Sequence, residues 1–281
     1  MKIKNNFLLI ACCIFVFQIP GAYAKDPTPE QLVAEHLKSI GEPDALSQIK
    51  SISFTGTAEV NLILGMHGNM SGTAMLVSQG PKMGINMRFQ DLNYPGEHFA
   101  YDGKTVTVGH IQPGRRSPIA DFLFHYNRIM RNGMLGGVFS NAWPLLDIKG
   151  SRPGNMRVRK TKTGGTDLYE LEYRPRDNHG DMRIRLYFDP ATYRHLRTEY
   201  NVRMVGFGAS LEGGDGGGNY ILTERFEDFR KVGDLTLPFR YILEYSIDSL
   251  QGAGFLSHWR INAQEILFNE PDISPGFFKA E

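Results

Sequence analysis

Residues 82–90, KMGINMRFQ, alternate without a break. Met83, Ile85, Met87 and Phe89 fall on one side, and Lys82, Gly84, Asn86, Arg88 and Gln90 on the other. A period of two with one apolar side marks a β-strand that covers something greasy and turns its other face to water. The same period runs through most of the chain. SISFTGTAEV (51–60) and MSGTAMLVSQ (70–79) come before it, and EHFAY (97–101) and KTVTVGHI (104–111) follow, flanking Asp102-Gly103, a two-residue hairpin signal. Further on come TDLYELEY (166–173), MRIRLYF (182–188), HLRTEYNVRM (195–204), YILTERFEDF (220–229), LPFRYILEYSI (237–247) and WRINAQEILF (259–268). About eleven strands joined mostly by hairpin-length links predict an antiparallel meander. So many long strands have to curl or close.

Two segments depart from this period. Thr28-Pro29-Glu30-Gln31 reads as an N-cap, a first-turn proline and a capping-box glutamine. Leu32, Val33, Leu37 and Ile40 then form one stripe that Gly41 stops, and the short turn PDALSQIK is expected to bury Ala45, Leu46 and Ile49. In mid-chain, Ser117-Pro118 caps a helix predicted to run to Arg131, with Ile119, Phe122, Leu123, Tyr126, Ile129 and Met130 on one face. Asn132-Gly133 ends it, and the apolar, irregular MLGGVFSNAWPLL (134–146) follows.

The chain has 281 residues and opens with Lys2 and Lys4, an apolar run from Phe7 to Ile19, then GAYA before Lys25. These are the marks of an export signal cleaved after Ala24, leaving 25–281 as a single domain in the periplasm. A competing reading takes LIAC as a lipidation box at Cys12; the apolar run before Cys12 is short for it and continues past it. Both cysteines, Cys12 and Cys13, leave with the signal, so the mature chain has no thiol chemistry. With 31 Lys and Arg against 30 Asp and Glu, no polyanion such as nucleic acid is expected as a partner.

At this point the residues resemble a known family. EHLKSIGEPDALSQIKSISFTGTA (35–58), YDGK (101–104), YFDPATYRHLRTEY (187–200), FRKVGDLTLPFRYILEY (229–245) and FNEPDISPGFF (268–278) are similar, in this order, to segments of periplasmic proteins related to the lipoprotein carrier LolA and the outer-membrane lipoprotein-sorting group. One departure is Gly41-Glu42, where many relatives read two glycines. The resemblance implies a mainly β fold with α (α+β): a strongly curved antiparallel sheet forming an unclosed half-barrel, its concave face covered by helices and open to acyl chains.

Catalytic motifs are missing. The eight histidines have no paired-ligand spacing, no serine sits in a nucleophile elbow, and GGDGGGNY lacks the lysine and helix of a phosphate loop. The histidines are therefore expected at the surface or half-buried, and Glu224, Glu227 and Asp228 on a solvated edge. Arg183, Arg185, Arg197 and Arg203 are expected to pair across strands with Glu170, Glu172 and Glu199. No metal, cofactor or covalent step is expected. What remains is the apolar face: Met75, Met83, Ile85, Met87, Phe89, Leu186, Phe188, Val202, Met204, Phe239, Tyr241 and Leu243 are the candidate ligand-binding positions. Phe122, Leu123, Tyr126 and Trp143 are the candidate lid. Methionine is unbranched and suits a surface that re-packs around flexible chains. The expected function is a monomeric binding or carrier protein for a lipid or acylated molecule, working by enclosure, with an envelope protein as a possible second partner. The alternative is an envelope interaction module of the same fold whose hollow is filled by its own helices.

Overall fold

The computed structural model describes residues 26–64, 68–148, 156–175, 182–204, 218–249 and 254–280. The expected export signal, His67, His179 and the glycine run at 205–217 lie outside the described residues. Helix α1 (Pro29–Ile40) begins with the expected capping box: the Thr28 hydroxyl accepts from the Gln31 amide at 3.2 Å, and the Gln31 side chain accepts from the Thr28 amide at 2.9 Å. Helix α2 (Pro43–Gln48) follows.

The chain then builds β1 (Ser51–Leu64), β2 (Gly68–Gln79), β3 (Lys82–Phe89), β4 (Gly96–Tyr101) and β5 (Val106–Val108), and later β6 (Arg157–Thr163), β7 (Thr166–Tyr173), β8 (Met182–Phe188), β9 (His195–Met204), β10 (Gly218–Val232), β11 (Leu235–Ser249) and β12 (Phe255–Phe268). All 12 form one antiparallel sheet in the order β5-β4-β3-β2-β1-β12-β11-β10-β9-β8-β7-β6. Two meanders are thus sewn together where the first long strand pairs with the last. Among the described residues no ladder joins β5 to β6, so the sheet is unclosed.

That order dictates the rest. The chain leaves the sheet at one edge, β5, and re-enters at the other, β6. The connection therefore has to cross a whole face, and residues 117–146 do so. They carry α3 (Pro118–His125) and α4 (Arg128–Arg131).

Curvature follows from what the crossing touches. Met83 on β3 and Phe226 on β10 are five strand spacings apart, ~24 Å along a flat sheet. Yet a Cβ added at Gly136 would lie 2.3 Å from Met83 Cε, and one added at Gly137 would lie 2.8 Å from Phe226. Two neighbouring residues bridge both strands, so the sheet curls around them. Gly136 also has φ of 81°, where a side chain is strained. Gly136→Ala is expected to cost about 2–3 kcal/mol, through overpacking and strain together, read from chemical denaturation.

Several local expectations need correction. The twelfth strand, β6 (RVRKTKT), is polar on both faces and exposed along an edge, so it lacks the alternation that marks the others. The mid-chain helix breaks after His125, where the Asn127 side-chain amide donates to the Phe124 carbonyl at 3.0 Å and competes with the helical bond. Asp102-Gly103 lies in a four-residue connection, because the Asp102 carboxylate accepts from the Lys104 and Thr105 amides and draws both into the turn. Ala45, Leu46 and Ile49 are half-buried rather than buried.

On the outer face Arg185 is the arginine that pairs as expected. Arg185 meets Glu199 at 2.8 Å and Glu170 at 3.8 Å; Glu172 is instead taken by Arg174 at 2.7 Å, and Arg197 stacks on Tyr187.

Candidate functional site

The inner face is built by parity. Cross-strand partners share a face, and the register aligns Leu76, Ile85 and Phe99, with Ala74, Met87 and Glu97 one step further along. Met83, Ile85, Met87 and Phe89 are buried there, as are Leu186, Phe188, Val202, Tyr241 and Leu243 from the other arm. Nine of the twelve candidate positions therefore share one surface.

The other three do not belong to it in the same way. Met75 pairs with Thr55 and Asn86 and faces outward, because the inward positions of β2 are its even-numbered ones. Phe239 is half-buried on β11, with the Arg230 guanidinium 4.7 Å above its ring. Met204 ends β9, and its side chain lies outside the described set.

The crossing segment fills the centre of the hollow. Phe139 is fully buried, its ring 5.2 Å from Phe54, 6.2 Å from Tyr241 and 6.5 Å from Phe226. Of the candidate lid residues, Phe122, Leu123 and Trp143 are buried and Tyr126 is half-buried. Trp143 packs among His36 of α1, at 5.2 Å, and His195 of β9, at 5.2 Å. These two histidines are core residues, contrary to the surface expectation. The Tyr193 carbonyl can only accept, so His36 donates through Nδ1 at 2.9 Å. Burial holds the His36 imidazole down to about 4 and drives His195 well below its ordinary value.

Two carboxylates interrupt this apolar surface. Glu224 on β10, expected at a solvated edge, is fully buried; Glu227 is half-buried and Asp228 exposed. Glu224 accepts from the Tyr241 hydroxyl at 2.5 Å, the Tyr200 hydroxyl at 2.6 Å and the Gly136 amide at 2.6 Å. Glu97 on β4 accepts from the Tyr94 hydroxyl at 2.5 Å and from the Ser117 hydroxyl, and Trp259 donates to Tyr94 at 2.7 Å. Burial pushes both carboxyls up to about 7 against the pull of these donors. The signal for both was parity: Glu224 occupies the inward slot between Leu222 and Phe226, and Glu97 sits two residues before Phe99.

Open space lies elsewhere. A cavity of about 510 Å³ sits between α1, α2, the starts of β1 and β11, and the end of the crossing segment. Leu37, Ile40, Leu46, Ile49, Ile52, Val138, Leu146, Leu235 and Leu237 give it an apolar lining, with Ser47, Ser140 and Asn141 as polar points and Lys38 as the charged one. None of the twelve candidate ligand positions and none of the four lid positions lines it. The half-burial of Leu46 and Ile49 is explained here, since their apolar surfaces face this space. The volume falls within the range of small-molecule sites, ~300–1,000 Å³. Among the described residues no group of His, Cys, Asp and Glu is placed to hold a metal ion.

The architecture is one open, curled antiparallel sheet with helices across its inner face. Among solved structures the chain is similar to a LolA superfamily protein from Nitrosomonas europaea, at 14% identity and a TM-score of 0.43, over 90% of this chain and 98% of that one. It is also similar to a putative outer membrane lipoprotein-sorting protein domain from Vibrio parahaemolyticus, at 14% identity and a TM-score of 0.41, over 87% and 97%. A DUF1329 family protein from Desulfovibrio piger matches at 11% identity and a TM-score of 0.39, over 91% and 98%. No family model matches the chain. No curated protein matches it. The ligand therefore has to be read from the site itself.

Proposed function

We propose that this chain is an exported, non-enzymatic binding protein of the cell envelope that holds an acyl chain of a lipid or acylated molecule without a covalent step. The observation that carries this reading is the apolar cavity of about 510 Å³ beneath α1 and α2, whose lining leaves Leu46 and Ile49 half-exposed in an otherwise well-packed fold. Apolar surface of this kind is stabilised by a guest: each methylene removed from water contributes ~0.8 kcal/mol. The guest's first site is this cavity. Met83, Ile85, Met87, Phe89, Leu186, Phe188, Val202, Tyr241 and Leu243 would join it only after the crossing segment moves. Export rests on the N-terminal pattern, and among the described residues no helix is long and apolar enough to cross a membrane.

The second reading, an interaction module with a self-filled hollow, is favoured by one observation: Phe139 and its neighbours already occupy the centre. Leu46→Trp separates the two. The residue is half-buried, so the larger ring can grow into the cavity with little loss of stability. Uptake of a fluorescent fatty acid is expected to fall at least tenfold while the melting temperature stays within a few degrees. Absence of uptake by the unaltered protein would leave the interaction module as the account.

A further inference from the structure

The crossing segment is tied to the rest of the fold at several points, among them Asn141, which donates to the Ser78 hydroxyl and the Ile49 carbonyl, and two of its ties are buried carboxylates. At its start, the Ser117 hydroxyl donates to Glu97 while its oxygen accepts from the Ala120 amide at 3.0 Å, so one side chain both caps α3 and ties it to β4. Beyond α4, the Gly136 amide donates to Glu224 on β10. β4 and β10 lie on different arms of the sheet, six strand steps apart. The segment is therefore clamped to opposite walls of the hollow it fills.

A buried carboxylate is a costly way to fasten a loop, since an apolar contact would do so without desolvating a charge. What it adds is a dependence on ionisation. The hydrogen-bond partners of these two carboxylates, among the described residues, are neutral. Glu224 meets Tyr200 of β9, Tyr241 of β11 and the Gly136 amide; Glu97 meets Tyr94 and Ser117, and Trp259 of β12 through Tyr94. No cation is among these partners. The nearest imidazole is that of His195, which bonds Thr198, the register partner of Glu224, at 2.9 Å and packs 4.8 Å from Phe226; burial keeps it neutral, and His36 lies beyond it in the cluster around Trp143. Ionisation therefore places a negative charge in a buried site where neutral donors offset only part of its lost hydration, and movement of the segment would let water supply the rest.

We propose that Glu97 and Glu224 are paired latches: protonated, they hold residues 117–136 shut over the inner face, and their ionisation releases the segment and exposes Met83, Ile85 and Met87. The latch does not depend on the nature of the guest; the use of the exposed face by an acyl chain rests on the reading above. Burial raises both carboxyls in the closed state, in keeping with this direction.

Hydrogen exchange of the ligand-free chain tests it, comparing about pH 5.5 with about pH 8 after correction for intrinsic base catalysis. Peptides spanning 117–146 are expected to lose protection relative to β1 peptides, on the order of tenfold per carboxylate. The isosteric pair Glu97→Gln and Glu224→Gln is expected to abolish this dependence. Equal protection at both pH values in the unaltered protein, which needs no variant to fold, would overturn the proposal; so would a double variant that keeps the full dependence. Fatty-acid uptake on the same samples keeps the two claims apart. A pH-dependent segment with no uptake at either pH supports the latch and removes the acyl reading.

Discussion

Phe139→Ala is expected to lower stability by about 3–5 kcal/mol, seen as a fall in the urea midpoint with little change in slope. Phe139 is fully buried at the point where β1, β10 and β11 converge on the crossing segment, and its ring has three aromatic neighbours. Truncation loses the transfer energy of the ring and leaves a void that a sheet paired on both sides of β1 cannot close by local relaxation. If the crossing segment were a loosely laid cover, the same substitution would cost less than about 1.5 kcal/mol, as surface changes do. The result thus decides whether the centre of the hollow is core or lid.

The second large effect concerns pH. A carboxyl whose folded-state value is raised from 4.5 to about 7 contributes stability that is fully present below pH 4.5 and lost as pH rises through 7. Glutamine resembles the protonated form at every pH. Glu224→Gln and Glu97→Gln should therefore lie near the unaltered protein at pH 5 and become relatively more stable by pH 8, by roughly 3 kcal/mol per site. The unaltered protein will not display this trend plainly. His36 and His195 run the other way: their contribution is complete above 6.5 and lost as pH falls, through about 4 in the case of His36. The two sets overlap between about pH 4.5 and 6.5 and offset one another. Thermal denaturation of unaltered and glutamine forms at both pH values, compared pairwise, isolates the carboxylates. A difference that does not change with pH would show that they are not held in the folded state as described.

Much of the fold was legible because the governing rule is local. Eleven strands declared themselves by period two, α1 by its capping box, and the inner face of β3 by four consecutive alternations from Met83 to Phe89. β6 stayed hidden because an edge strand with water on both faces has no pattern to show. The long crossing was visible as a break in the meander, but its depth was not. Burial of Phe139 and Trp143 follows from β5 and β6 standing at opposite edges of the sheet, a fact of strand order that no short window contains. Met75 was misplaced by parity alone, since a strand read one residue out of step exchanges its faces. The cavity escaped for a different reason: Leu46 and Ile49 look like ordinary core residues in sequence, and only their incomplete cover reveals empty space. Glu97 and Glu224 were readable as intruders at inward positions, had the parity of each strand been followed through its charged residues.

The central claim is that an acyl chain lodges in the space under α1 and α2, against the end of the crossing segment. A fatty acid with a photoreactive group near its methyl end, bound to the full chain and irradiated, locates its own contacts. Crosslinks confined to peptides spanning 29–52, 137–148 and 235–237 are the predicted result. Saturable labelling of outer-face peptides instead, or none that an excess of unlabelled fatty acid competes away, would contradict it.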